Sequence, residues 1–166
     1  MEYIKTKIKD CYKLKLKQFA DSRGKFIKIY SSHLLTKNKI KVKQINYSTF
    51  KKKNILRGFH YQIKPKEELK IVFCTSGKCK IHIIDIRNKS ESYKKNLSIE
   101  LSENSNFAVL IPKGCPNAFQ SLKKNSSIIY YSTSEYCPKF EKKINYNSKI
   151  VKIKFPKNLI LSNKDK

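Results

Sequence analysis

Apolar and polar residues alternate at a period of two through this chain from end to end, and that pattern leaves little room for anything but β-structure. It is plainest in Ile4-Lys5, in Lys13-Leu14-Lys15-Leu16-Lys17 and in Ile40-Lys41-Val42-Lys43. The alternation predicts strands over 3–19 (broken near Asp10), 25–30, 39–47, 54–62, 69–74, 79–86, 94–101, 107–111, 118–122, 127–133 and 149–155. One short helix fits around 31–36. Regularly spaced strands with no long helical period predict a β-sandwich or jelly roll, as one all-β domain over 1–166. The lysine-rich runs 51–54 and 123–125 read as hairpin tips, and Gly77 as a turn between two strands.

A chain of 166 residues with ten Tyr and nine Phe can bury a core of its own. No apolar run approaches the roughly 20 residues needed to span a bilayer as a helix. The first ten residues alternate Ile with Lys and lack the apolar stretch of a secretory signal. The five cysteines (Cys11, Cys74, Cys79, Cys115, Cys137) are odd in number and contain no C-x-x-C spacing, which suits a reducing cytoplasm better than a disulfide framework.

The 38 Lys+Arg against 12 Asp+Glu give a formal charge of +26, which by itself suggests nucleic acid or an anionic membrane. The lysines, however, alternate with apolar residues throughout, which spreads them over the solvent faces of many strands rather than gathering them into one patch. An anionic small molecule fits the charge equally well. Neither nucleic acid nor a membrane is therefore expected as the main partner; a basic nucleic-acid-binding module is the alternative.

Scarcity makes a few residues informative. Only Arg23, Arg57 and Arg87 are arginines, and two of them precede two of the four glycines, as Arg23-Gly24 and Arg57-Gly58. Arg beside Gly in a lysine-dominated chain is either a pair of chance turns or a need for the planar, bidentate guanidinium that recognises phosphate. His60 lies just beyond, in Leu56-Arg57-Gly58-Phe59-His60-Tyr61-Gln62. On a regular strand Gly58, His60 and Gln62 face one side and Arg57, Phe59 and Tyr61 the other, unless the glycine permits a bulge. His60 is a satisfied structural histidine or a proton-transfer group. Lys70, between Leu69 and Ile71, is a solvent-facing lysine or a cation with a task in a dry place. Tyr130 ends an apolar run and reads as core unless its hydroxyl is used. Asp165, next to last, reads as a frayed tail. A metal centre is not expected: a metal-binding cupin presents His-x-His, where this chain has His60-Tyr61-Gln62, and a further His where it has Asn117.

Taken together and in order, these segments resemble the dTDP-4-dehydrorhamnose 3,5-epimerase family. They are Phe19-Ala20-Asp21-Ser22-Arg23-Gly24-Lys25-Phe26, Gln44-Ile45-Asn46-Tyr47-Ser48, Asn54 to Gln62, Leu69-Lys70-Ile71-Val72, Ile84-Asp85-Ile86-Arg87, Ile111-Pro112-Lys113-Gly114, Tyr130 to Pro138 and Leu161 to Asp165. The resemblance implies an all-β, cupin-like double-stranded β-helix (jelly roll) with minor short helices, and neither a metal nor a redox cofactor. It implies a nucleotide-diphosphate-sugar substrate and a homodimer.

Residue by residue, the resemblance makes His60 the base, Asp165 the carboxylate paired with it, Tyr130 the general acid and Lys70 the enolate-stabilising cation. Arg57, Gln44, Asn46 and Tyr136 become substrate contacts, and Arg23 one that reaches the nucleotide from the partner subunit. Asn117 stands where most members carry His, and Lys28 where they usually carry Glu; both are binding rather than proton-transfer positions. Family branches acting on other nucleotide sugars, heptoses included, vary in this way. The expected activity is epimerisation at carbon 3, carbon 5 or both of a 4-keto-6-deoxy sugar, with a single-centre epimerase or keto-isomerase on another nucleotide sugar as the alternative.

Overall fold

The computed structural model describes residues 2–29, 31 and 40–165. Among the described residues thirteen strands follow one another: β1 (Glu2–Lys5), β2 (Tyr12–Lys15), β3 (Gln18–Asp21), β4 (Gly24–Ile27), β5 (Gln44–Phe50), β6 (Leu56–Gln62), β7 (Lys70–Ser76), β8 (Lys78–Ile84), β9 (Asn96–Ser102), β10 (Phe107–Ile111), β11 (Asn117–Ser121), β12 (Ser126–Ser132) and β13 (Glu141–Lys143). A 3₁₀ turn, Pro138–Phe140, precedes β13. Among the described residues no helix is long and apolar enough to cross a membrane.

Two antiparallel sheets carry the fold, one in the order β1-β2-β10-β7-β12-β5 and the other β13-β6-β11-β8-β9, with β3 and β4 as a separate hairpin. From β5 to β13 the chain passes from one sheet to the other at every connection except that between β8 and β9, those between β5 and β6 and between β11 and β12 included. This is the jelly-roll arrangement expected. It also corrects the reading of 51–54 and 123–125, which are corners between sheets rather than hairpin tips. Asn54 and Asn125 turn these corners with φ of 64° and 55°, a region that asparagine tolerates better than most residues.

Three apolar layers explain the hydrophobic pattern. Phe50, Val72, Ile81, Val109 and Ile128 pack between the sheets. Leu14, Ile71, Phe73 and Leu110 form a second layer on the far side of β7 and β10. Strand β7 is thus buried on both faces, and Ile71-Val72-Phe73 reads as a continuous apolar run, as does Phe107–Ile111 of its neighbour β10. The third layer, built on Leu56, Phe59 and Ile84, is covered by Ile150, Val151, Ile153 and Phe155.

That last cover corrects another expectation. Residues 149–155 alternate as a strand would, yet they belong to no sheet. Their apolar side chains lie on the outer face of the five-stranded sheet, and the alternation records which side is covered, not ladder pairing. Residues 40–43, expected within a strand from 39, precede β5, which begins at Gln44. Strand β13 was not expected, because its sequence Glu-Lys-Lys carries no apolar signal; it forms by adding to the edge of β6, with Glu141 opposite Gln62. The helix expected over 31–36 lies, beyond Ser31, outside the described residues.

Candidate active site

One cavity of about 430 Å³ opens between the two sheets. Strands β5, β7 and β12 bring Gln44, Asn46, Ser48, Lys70 and Tyr130 to one wall; β6, β11 and β13 bring Arg57, His60, Asn117 and Glu141 to the other. On β5 the alternation does this directly: Gln44, Asn46 and Ser48 are half-buried towards the cavity, while Ile45 and Tyr47 face outward and are exposed.

On β6 simple alternation fails. Its pairing with β11 jumps from His60 opposite Asn117 to Arg57 opposite Phe119, so three steps on β6 match two on β11. This bulge falls at Gly58, whose φ of +113° favours glycine. A side chain there would also stand 2.5 Å from the Asn117 carbonyl oxygen. The bulge turns Arg57 and His60 into the same cavity and sends Leu56 and Phe59 into the outer apolar layer.

Carboxylates stand at both nitrogens of His60. Asp165 Oδ1 lies 2.8 Å from Nε2, and Glu141 Oε1 lies 3.7 Å from Nδ1. The first contact is within reach but off the line of the N–H, so it falls short of a full hydrogen bond. Asp165 is itself buried, its other oxygen accepting from Ser162 Oγ at 2.9 Å. The tail is held upstream by an exchange between Leu56 N–H and Ile160 O, and Ile160 N–H and Asn54 O. Burial is the largest influence on His60 and holds its pKa below the usual 6.5, against the opposing pull of Asp165 and Glu141. Burial would raise the Glu141 carboxyl, but hydrogen bonds from Lys164 and Tyr136 outweigh it and hold it below the usual carboxylate value.

Across the cavity, Lys70 is buried, with its ammonium 3.0 Å from Glu68 and donating to Asn117 Oδ1 at 3.4 Å. The Tyr130 ring lies 5.8 Å from that ammonium and 5.4 Å from the Phe119 ring. Burial, helped by the negative charge of Glu68, raises the Tyr130 phenol above 10, so it keeps its proton at neutral pH. Arg57 donates to the Thr49 carbonyl at 3.0 Å.

Residues 5–166 match the sequence profile described as dTDP-4-dehydrorhamnose 3,5-epimerase. The chain belongs to that family. The Shigella flexneri protein named dTDP-4-dehydrorhamnose 3,5-epimerase is 31% identical, over 99% of this chain and 93% of its own length. A solved structure of the Bacillus anthracis enzyme of that name, with TDP and pyrophosphate bound, superposes with a TM-score of 0.92 at 28% identity, covering 99% of this chain and 95% of that one. The Legionella pneumophila dTDP-6-deoxy-D-glucose-3,5-epimerase, solved with dTDP-4-keto-L-rhamnose, gives 0.91 at 27% identity over 99% and 89%. The family is one of isomerases, and its jelly roll is the fold observed here.

Set against the family's pattern, His60, Asp165, Tyr130, Lys70, Gln44, Asn46, Arg57, Asn117 and Tyr136 all line the one cavity. Arg23 and Lys28 do not: both are exposed, and Arg23, at the β3–β4 turn, pairs with Asp21 at 2.6 Å. Asn117 is buried, its amide donating to the backbone carbonyls of His60 and Cys115 at 3.2 and 3.1 Å. Sequence reasoning missed Ser48, Glu68, Glu141 and Lys164, which also line the cavity. Period two from Gln44 and Asn46 points to Ser48, and period two back from Lys70 points to Glu68. Glu141 carries no such signal, since its strand exists only by pairing with β6.

Proposed function

We propose that this chain epimerises a nucleotide-diphosphate 4-keto-6-deoxy sugar, of the dTDP-4-dehydro-6-deoxyglucose to dTDP-4-dehydrorhamnose type, at carbon 3, carbon 5 or both. The observation that carries the reading is that His60 and Tyr130 come from opposite sheets and meet one cavity with Lys70 on its wall. Inverting a carbon beside a ketone removes its proton from one face and returns a proton to the other. A base and an acid must therefore flank the ring.

His60 is the base. Held neutral by burial, it takes the proton on one nitrogen while Asp165 stabilises the imidazolium at the other. A base of pKa near 6.5 facing a carbon acid of roughly 18–20 leaves a gap of about 12 units, roughly 16 kcal/mol. Lys70 narrows that gap by stabilising the oxyanion of the enolate in a dry site, a contribution that is usually the largest single one. Tyr130 then delivers its proton to the enolate carbon. Arg57, Gln44, Asn46 and Tyr136 bind the substrate, and binding energy away from the reacting carbon positions the ring. The reaction moves protons only and calls for no redox cofactor.

The working form in this reading is a cytoplasmic homodimer. Arg23 and the exposed Phe19 and Phe26 share the β3–β4 hairpin, a projection suited to reaching a second copy's diphosphate site. Asn117 supports a narrower second reading, a single-centre epimerase or a different nucleotide sugar, because its amide is engaged by the protein where most members present His.

Incubation with 4-keto-6-deoxy nucleotide sugars in deuterated water tests the proposal. Deuterium is expected at carbon 5, carbon 3 or both, and the number of labelled centres separates the two readings. No incorporation across thymidine, guanosine and cytidine diphosphate sugars ends both.

A further inference from the structure

Asp165 and Glu141 attend His60, but the third carboxylate of the cavity, Glu68, has no part in the chemistry described so far. It lies in the segment between β6 and β7, two residues before Lys70, and the extended chain puts both side chains on one face. The two side chains are almost equally buried, 12% exposed for Glu68 and 9% for Lys70. Glu68 Oε1 stands 3.0 Å from the Lys70 ammonium, and its Oε2 accepts a 2.6 Å hydrogen bond from Ser132 Oγ on β12.

An ammonium on a four-carbon stem stabilises a transition state well only when its direction is fixed beforehand, because a donor that must reorganise gives back what it gains. Buried without a counter-charge it is also costly. Glu68 answers both requirements. Ser132 anchors its carboxylate, the carboxylate stands 3.0 Å from the Lys70 ammonium as its ion-pair partner, and Asn117 Oδ1 accepts from that ammonium at 3.4 Å. The ammonium keeps donor capacity for an oxygen of the ligand.

Resting on the epimerase reading, we propose that Glu68 is a positioning residue, its carboxylate clamping the Lys70 ammonium at the cavity wall where the enolate oxygen develops. A second consequence reaches Tyr130, which Glu68 faces together with Arg57 of β6, Glu141 of β13 and the Lys70 ammonium. The negative charge of Glu68 opposes formation of the phenolate. Its removal lets Tyr130 ionise at a lower pH.

Glu68→Gln, nearly isosteric, is the test. In deuterium wash-in with a 4-keto-6-deoxy nucleotide sugar, kcat is expected to fall by about tenfold or more while KM moves by less than about threefold. In the free protein, with ring-labelled tyrosine followed by NMR, the Tyr130 midpoint is expected to move to lower pH. Should E68Q fail to fold, Ser132→Ala keeps the charge but frees the carboxylate; kcat is then expected to fall several-fold with the Tyr130 midpoint in place. An unchanged kcat in the folded variant, a loss confined to KM, or an unmoved Tyr130 midpoint in E68Q overturns the proposal. Absence of wash-in from the unmodified enzyme overturns the epimerase reading instead, and the Tyr130 titration still decides whether Glu68 sets the charge at this wall.

Discussion

Glu141 Oε1 lies 3.7 Å from Nδ1 of His60 while Asp165 Oδ1 lies 2.8 Å from Nε2, so the imidazole has a carboxylate at each nitrogen and is nonetheless harder to protonate than a free histidine. Burial wins over both carboxylates, with Lys164 and Lys70 acting in the same direction as burial. The base works when neutral, so activity is lost as pH falls through the His60 pKa. The acid limb of kcat/KM is expected below pH 6.5. Glu141→Gln, which removes one of the charges favouring the imidazolium, is expected to move that limb lower still. A limb at or above 6.5 in the unmodified enzyme would remove His60 from the role of base.

Tyr130→Phe removes the proton donor and leaves the ring against Phe119. Inversion is expected to fall by about 10²–10⁴-fold, the usual range for a general acid. Proton removal, which depends on His60 and Lys70, is expected to fall much less. Comparing wash-in with product formation by NMR separates the two, and equal losses would argue against a separate acid.

His82 offers a stability test away from the cavity. It is 1% exposed, with Nδ1 2.8 Å from Ser98 Oγ and Nε2 3.0 Å from Gln120 Oε1. Burial lowers its pKa to about 4, the Gln120 hydrogen bond opposing and Lys80 assisting. A depression from 6.5 to about 4, at about 1.36 kcal/mol per unit, corresponds to about 3 kcal/mol. Because the folded form resists protonation, this stability is full above pH 6.5 and drains away as pH falls towards 4. His82→Gln is expected to flatten that slope in urea denaturation between pH 7 and 4, leaving the parts due to His60 and, at the acid end, to the lowered carboxyls of Glu141, Glu100 and Asp85. An unchanged slope would contradict the assignment.

Gly58→Ala is expected to cost about 3 kcal/mol or more, since it combines a left-handed backbone with a crowded Cβ. The added carbon would meet the Asn117 carbonyl oxygen at 2.5 Å and Ala118 Cα at 2.9 Å. Thermal denaturation measures the loss. Whatever folds is expected to have lower kcat, because relaxing the bulge shifts His60, two residues on. A variant with unchanged melting temperature would show that the bulge tolerates a side chain.

Much of this protein was legible in the sequence. Alternation located most of the strands, and Phe107–Ile111 matches residue for residue. Short motifs in their order located the family and nine of the 17 residues that line the cavity. What alternation misread were residues 149–155 and the corners at 51–54 and 123–125. Period two reports which side of an extended chain is covered, not whether a neighbour strand bonds to it.

The sequence by itself determined the all-β architecture and the residue types brought to the chemistry, because both follow from local spacing along the chain. Only the tertiary structure decided which side chains face one another. Arg57 and His60, three apart, share a cavity only because β6 bulges at Gly58. Glu141 reaches His60 only because an unpatterned tripeptide finds the free edge of β6, and Asp165 only because the tail is pinned at Ile160. Such juxtapositions arise from pairing between segments distant in sequence, and local spacing carries no record of them.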